Sequence, residues 1–578
     1  MKDTISGTEH AHDVGKAPAR EFDFDWVIVG SGFGGSVAAL RLAEKGYRVA
    51  VIERGRRYED GELPTSASDT KRYIWAPARG LYGIMRALVF RHVFTLAQTG
   101  VGGGSLMYGG VLFRAQAGFY NDPQWRDLAP WEEVLAPCYA EAERMLGVGE
   151  PPWESVTMGL TKQVAEHFGA ADTFARSPTG VFFGEPGKTV DDPYFGGEGP
   201  SRTGCTRCGE CMVGCRIGAA NRLTKNYLWF AEKRSARIVA EQEVVDVAPL
   251  GAADGSDGYR IVTERRSGGT RCVCSQYTTR GVVFAGGAAG TNELLAQCKH
   301  RGSLPRISDR LGHLVRTNSE VIVGVLLPED RETWRDVTVS SRMVLDQDTQ
   351  IEFLTLGPSA DVHRKMWTVL TGKGTRPVRL IKWLGTVLRN PGKWLATLRA
   401  KGWSARTLQV LVMQPRDNAI RLRAMKRRFR GGYRLVSEVD RSRPAPTYLE
   451  VGHKVAKWLA DRTGGVAQST LFEAFFNTPY TGHLLGGAVI GSDASTGVVD
   501  VNLRVFGYQN MIICDAAALP ANPGVNPVLT ITALAEHAME QVQSVDYGMA
   551  RPSEDIDYDV HVVKDEEPTG RRCEDDHL

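Results

Sequence analysis
After a polar N-terminal stretch the apolar positions arrive as a block, Trp26-Val27-Ile28-Val29, and stop abruptly at Gly30-Ser31-Gly32-Phe33-Gly34-Gly35. A short apolar run that ends on glycine is the pattern of a strand buried on both faces, and Val49-Ala50-Val51-Ile52 repeats it. Between the two runs, Ser36 to Lys45 carries the pattern of a helix. The prediction is a strand, a tight turn, a helix and a second parallel strand closing on Glu53. Gly30 turns the chain, Gly32 lets a pyrophosphate approach the backbone, and Gly35 lets the helix settle on the sheet with its N-terminus toward the phosphates. Glu53 stands where a carboxylate takes the ribose hydroxyls of a dinucleotide.

Further along, Gly100-Val101-Gly102-Gly103-Gly104-Ser105-Leu106-Met107-Tyr108-Gly109-Gly110 is too rich in glycine for a regular helix or strand, and it suits backbone lying flat against a ligand. A strand pattern near Ile238 to Val247 precedes a β-ribbon, and Arg280-Gly281-Val282-Val283-Phe284-Ala285-Gly286-Gly287 predicts another parallel strand entering a glycine turn. From Asn318 to Asn477 short strand patterns alternate around a basic helical insert, which predicts a separate substrate-covering domain. The last structured segment, Gly482 to Gln543, holds a strand, Met511-Ile512-Ile513-Cys514-Asp515, then Gly524-Val525-Asn526-Pro527 leading into a helix with Pro527 in its first turn. The fold class is therefore α/β: a Rossmann-like parallel sheet domain with an inserted α+β substrate domain. The expected division is a tail 1–22, dinucleotide-binding segments 23–115, 221–317 and 481–546, a cap and substrate segment 116–200, a cysteine cluster 201–220, the substrate domain 318–480 and an acidic tail 547–578.

At 578 residues the chain exceeds one simple core, which agrees with that division. Apolar residues make up 42% and charged residues 24%, ordinary for a globular enzyme, and a net charge of +3 argues against a general nucleic-acid binder. Residues 1–22 lack the apolar core of a signal peptide and no apolar run reaches membrane-spanning length, so a cytoplasmic location is expected.

These motifs, in this order, resemble the flavin-dependent glucose-methanol-choline oxidoreductases, and most closely their bacterial cholesterol oxidase type. The resemblance rests on Gly30-x-Gly32-x-x-Gly35 with Glu53, on Gly102 to Leu106, on Ala285-Gly286-Gly287, on His483-Leu484-Leu485-Gly486-Gly487, and on Asp515 with Gly524-Val525-Asn526-Pro527. Tyr108 departs from it where Asn is usual, and Leu484 where Pro commonly follows the histidine. The resemblance implies FAD, with its adenosine half on Gly30, Gly32, Gly35 and Glu53, its ring along Gly103, Gly104 and Ser105, Asp515 near the ribityl chain and pyrophosphate, and Gly286 also binding the cofactor. It implies oxidation of a secondary alcohol on a hydrophobic, sterol-like molecule, with oxygen or an electron carrier as acceptor.

Such chemistry needs a base for the hydroxyl proton, and a histidine titrates in the right range. His483 lies among small residues in Thr481-Gly482-His483 ahead of two glycines, and Asn526 can hydrogen-bond the substrate oxygen or the flavin edge. Sterol oxidases of this kind also shift a double bond, which requires a carboxylate. Glu352 in Gln350-Ile351-Glu352-Phe353-Leu354 is the candidate, in an apolar strand where desolvation raises its pKa, with Glu320 as its competitor. An outward-facing Glu352 is the plain alternative.

Two further features invite a function. Between Arg364 and Arg406 there are eleven Lys or Arg and no Asp or Glu, with Leu380, Trp383, Leu384, Val387 and Leu388 at helical spacing and Trp367, Trp394 and Trp403 nearby, the composition of a helix lying on an anionic membrane, here its inner face. A solvated basic face is the alternative. The second is Cys205, Cys208, Cys211 and Cys215, spaced C-x2-C-x2-C-x3-C as in bacterial ferredoxins, with Arg216 where Pro is usual. It reads as a ligand set for a 3Fe-4S or 4Fe-4S cluster, with zinc or cysteines without metal as alternatives. A cluster would make the protein a dehydrogenase serving a carrier; a flavin- and sterol-binding membrane protein without turnover is the remaining rival.

Overall fold
The computed structural model describes residues 22–267, 271–346, 348–426 and 433–545; the expected acidic tail and nearly all of the N-terminal tail lie outside them. A seven-stranded sheet carries a parallel part in the order Arg237–Val239, Val49–Ile52, Phe24–Val29, Arg271–Phe284 and Met511–Ile513. Val27, Ile28, Val51, Val282 and Val283 are fully buried, as strands covered on both faces require. The turn at Gly30 (φ +101°) leads straight into the helix Phe33–Glu44. The early part of the long strand Arg271–Phe284 pairs antiparallel with Tyr259–Ser267, which pairs with Glu243–Pro249, and this is the expected ribbon.

The strand expected over Ile238 to Val247 is two strands, Arg237–Val239 and Glu243–Pro249. Between them Glu241 is left-handed (φ +59°), its N–H donates to Gly55 O, and Gln242 N–H donates to Glu53 O, so the chain folds around the end of the second strand. The helix Trp131–Leu146, within the segment expected to cap the substrate, packs on the C-terminal helix Val528–Glu540 and shares the core of the dinucleotide sheet.

A second seven-stranded sheet is antiparallel throughout, in the order Trp367–Val369, Val466–Thr470, Val321–Leu326, Thr407–Met413, Thr349–Leu354, Ser341–Leu345 and Ala175–Arg176. Helices Val156–His167 and Glu450–Thr463 cover one face, burying Val164, Val455 and Leu459 against Val323, Ile351, Phe353 and Val410. Because side chains alternate along a strand, Ile351 and Phe353 beneath those helices put Gln350 and Glu352 on the other face. The basic insert forms two helices, Arg376–Arg389 and Pro391–Arg399. Among the described residues no helix is long and apolar enough to cross a membrane.

Candidate active site
A cleft opens at the carboxyl ends of the parallel strands, lined by Gly30, Gly32, Glu53, Gly103, Gly104, Gly286, His483 and Asp515 among others. That is where ligands lie in open α/β sheets. Three helices begin at its wall: Phe33–Glu44, Gly287–Arg301 and Val528–Glu540. Their N-termini bring N–H groups without intrahelical partners and partial positive charge to the cleft, which suits a pyrophosphate, although the Gly287 N–H is taken by Asp515. A Cβ on Gly32 would project into open space, whereas one on Gly103 would come within 2.7 Å of Gly32 Cα, so the two glycine segments form a close-walled cradle. The donor set and the flat glycine wall fit a dinucleotide bearing a planar ring.

Individual side chains refine the expectations. Asp515 accepts from Gly287 N–H at 2.7 Å, Ala517 N–H at 2.7 Å and Thr291 Oγ1 at 2.5 Å, and burial raises its pKa to about 6 despite these donors. The Glu53 carboxylate accepts from Ser31 N–H and Oγ through one oxygen and from Gly55 and Gly100 N–H through the other. Its four acceptor positions are thus met by the protein, and it braces the turns that wall the cleft. Gly35 and Ser105 stand back from the cleft. A Cβ on Gly35 would lie 2.1 Å from Gly30 O, so this glycine serves helix-on-strand packing. Ser105 Oγ donates to Gly102 O at 2.7 Å and accepts from Leu223 N–H at 3.1 Å, so its hydroxyl shapes the loop.

At the His483 end the catalytic candidates meet. His483 Nδ1 is 2.8 Å from Glu320 Oε2, and Glu320 also accepts from Thr481 Oγ1 at 2.8 Å and Gly482 N–H at 3.3 Å. Burial alone would lower the His483 pKa, but the negative charge of Glu320, with that of Glu352 beyond, raises it above its ordinary value. Glu352 is fully buried. Its Oε1 accepts from Gln350 Nε2 at 2.6 Å and its Oε2 from Asn526 Nδ2 at 3.3 Å. Burial pushes the Glu352 pKa up to about 7, against the opposing pull of those two donors and of His483. Glu352 therefore faces Asn526 across the junction of the two units. Asn526 Oδ1 remains buried with no partner in the protein.

Gln350 and Arg342 went unnoticed in the sequence. Gln350 lies two residues before Glu352 on the same strand face, and Arg342, the cross-strand partner of Glu352, donates from Nη1 to Gln350 Oε1 at 3.3 Å. Alternation gives the first, whereas the second needs the register. Of the two departures from the resemblance, Leu484 lines the cleft, and Tyr108 is partly buried, edge-on to Phe33 at 5.7 Å, with its buried hydroxyl unpartnered.

The metal expectation for Cys205, Cys208, Cys211 and Cys215 is not supported. All four are free, and among the described residues no group of three or more His, Cys, Asp or Glu side chains is arranged to hold a metal ion. The loop turns at Arg207 (φ +59°) and Gly209 (φ +70°) and is tied to the substrate unit, Gly357 N–H to Gly209 O at 2.9 Å and Ser359 N–H to Glu210 Oε1 at 3.1 Å. Cys205 and Cys215 pack with Val181, Ala219 and Val337, and burial drives the Cys205 thiol up to about 12. Ligand spacing along the chain has become apolar packing and loop attachment.

A dinucleotide cleft that ends in an imidazole and buried carboxylates, beneath a second, antiparallel sheet, defines a two-unit oxidoreductase. Residues 28–58 match the model of an NAD(P)-binding Rossmann-like domain, and residues 414–535 match that of GMC oxidoreductase. The chain is 42% identical over 530 residues to a cholesterol oxidase of Mycobacterium tuberculosis, covering 89% of this chain and 90% of the relative. With a cholesterol oxidase of Acinetobacter baumannii it shares 40% over 527 residues, covering 90% and 94%. Pyridoxine 4-oxidase from Mesorbium loti has the same fold at a TM-score of 0.55 and 15% identity, over 89% of this chain and 98% of that one. The chain belongs to the GMC oxidoreductases, as an FAD-dependent enzyme acting on CH–OH groups.

Proposed function
We propose that this enzyme oxidises the 3β-hydroxyl of a sterol-like alcohol to the ketone and then moves a Δ5 double bond to Δ4. The observation that carries this reading is the meeting of a His483–Glu320 pair with a separate, proton-tuned Glu352–Asn526 pair. One pair suits alcohol oxidation and the other suits isomerisation. Relatives at 42% and 40% identity that are cholesterol oxidases support the sterol class and oxygen as acceptor. An electron relay through the cysteine run has no ligand set to support it.

Bound FAD would supply the hydride acceptor for the carbinol carbon. The residues do the rest. The Glu320 carboxylate lies 2.8 Å from Nδ1 of His483 as its charge partner, which leaves Nε2 to take the hydroxyl proton, and a raised pKa makes that nitrogen a stronger acceptor. Asn526 directs its Nδ2 to Glu352, which leaves Oδ1 to accept from another donor of a bound ligand, while the hydroxyl proton itself goes to His483. With a pKa of about 7, Glu352 is balanced between taking a proton from one ring carbon and returning it to another.

The test is anaerobic mixing of FAD-loaded enzyme with a 3β-hydroxy-Δ5-sterol, followed by product analysis. Flavin bleaching and a Δ4-3-ketone are expected. From Glu352→Gln the unshifted Δ5-3-ketone should accumulate. A protein that binds the sterol and never bleaches is a binding protein, and full double-bond migration in Glu352→Gln removes that residue from the isomerisation.

A further inference from the structure
The helix Arg376–Arg389 is attached the wrong way round for a core helix. Leu380, Leu384 and Leu388 recur every fourth residue and form one stripe, which in a surface helix normally faces the interior. Here these three are 49%, 49% and 73% exposed, and neighbouring Ile381 is 70% exposed. Leu395 and Leu398 of the next helix, Pro391–Arg399, are exposed as well. The inward attachment is largely polar: the buried Arg379 donates from Nη1 to Glu473 O at 2.8 Å and pairs with Glu473 Oε1 at 3.2 Å, and Trp383 Nε1 donates to Thr368 Oγ1 at 2.9 Å. The outward stripe is therefore fixed by specific buried contacts.

Charge identifies what covers it. The stretch from Arg364 to Arg406 holds eleven cations and no acid, and four cations, Lys382, Arg389, Lys393 and Lys457, border a groove beside the stripe against a single acid, Asp461. A two-fold contact with a second copy would set this basic surface against itself. An anionic bilayer offers hydrocarbon for the leucines and phosphates for the lysines and arginines, whose stems can lie along the apolar boundary.

We propose that helices Arg376–Arg389 and Pro391–Arg399 dock this enzyme on an anionic membrane surface, with Leu380, Ile381, Leu384 and Leu388 in the acyl boundary and Lys382, Arg389 and Lys393 at the headgroups. The docking helix rests on the turn Phe472–Phe476, with Trp383 against Phe475 at 5.0 Å. Phe472 stacks on Phe94 at 3.8 Å, and the strand Phe94–Gln98 pairs with Tyr480–Thr481, two residues before His483 at its nearer end. The lipid surface is thereby joined by packed side chains to the segment that carries the candidate base. Docking itself depends on no feature of the alcohol oxidised.

The experiment is sedimentation of the full-length FAD-loaded enzyme with vesicles of phosphatidylcholine alone or mixed with phosphatidylglycerol, read by flavin absorbance. Binding to the anionic vesicles, falling about tenfold or more on raising salt, is expected. The triple variant I381E/L384E/L388E should lose about tenfold or more of this binding while keeping its flavin, its circular dichroism and its turnover of detergent-dissolved alcohol. Charge reversal by K382E/R389E/K393E should do the same without touching the stripe. Equal binding to both vesicle types, or variants that bind as the parent does, would overturn the proposal. So would self-association without lipid that the triple variant abolishes, or capture of an acidic peptide in preference to vesicles. Vesicle binding by an enzyme inactive on every sterol would leave docking standing and remove the proposed reaction.

Discussion

Glu320 decides how His483 titrates. Its carboxylate lies 2.8 Å from Nδ1 and favours the charged imidazole, yet the reaction needs the neutral ring, so flavin bleaching by substrate should rise as pH rises through the raised His483 pKa. Removing the charge in Glu320→Gln should lower that pKa and move the rising limb toward acid by about one unit or more, with a slower plateau. Single-turnover bleaching measured against pH checks this; a slower plateau with an unmoved limb would make Glu320 a merely structural neighbour. Glu352 has the opposite consequence for stability. Its pKa rises from 4.5 to about 7 on folding, so between those values the native state keeps a proton that the unfolded chain has lost. Stability should fall as pH rises across that window, by up to about 3 kcal/mol, and the penalty is complete above it. Glu352→Gln should therefore gain in urea midpoint relative to the parent at pH 8 and show little gain near pH 4. His483, Asn526 and Glu352 were legible because they sit in ordered motifs or an alternating strand. The Glu320 partnership was not, because Thr481 and Glu320 are 161 positions apart and only the fold brings them together.

Element by element, legibility follows how far local pattern is obeyed. The strands Phe24–Val29 and Val49–Ile52 were readable since burial on both faces leaves continuous apolar runs, and the helices after Gly30 and Asn526 were readable from their glycine and proline starts. The break at Ala240 to Gln242 was hidden, because the left-handed Glu241 is imposed by backbone bonds to Glu53 and Gly55. The cysteine run misled for a related reason: its spacing is a property of the chain, whereas a cluster needs convergence in space. The glycine loop gives an element-scale test. Gly103 has φ +48° and no room for a Cβ beside Gly32, so Gly103→Ala must strain its own backbone and push the two cradle segments apart. A cost of about 1–3 kcal/mol is expected, felt chiefly as weaker FAD retention. Flavin released on gel filtration measures it, and full retention would mean that the cradle widens freely.

For the whole molecule the question is what keeps two sheets, built from interleaved stretches of chain, in one arrangement. Arg316 is a principal tie. It is fully buried, and it reaches Asp122 at 3.2 Å, Asp417 at 2.5 Å, Asn418 O at 2.9 Å and Pro520 O at 3.0 Å. Those partners come from the segment before the helix Trp131–Leu146, from the loop after the strand Thr407–Met413 and from the stretch leading to Asn526. A guanidinium suits this place because its planar fork serves several acceptors at once. Taking it away strands the buried Asp122 without a counter-charge, and breaking a buried pair in this way costs about 3–5 kcal/mol. Arg316→Met should lose about that much in urea unfolding, while Arg126→Met, at an exposed pair with Asp127, should change stability by about 0.5 kcal/mol or less. The double variant Arg316→Met with Asp122→Asn removes both charges and should recover part of the loss. If it is as unstable as Arg316→Met alone, the stranded charge is not the cause, and the cost lies in the carbonyls of Asn418 and Pro520 left without a donor.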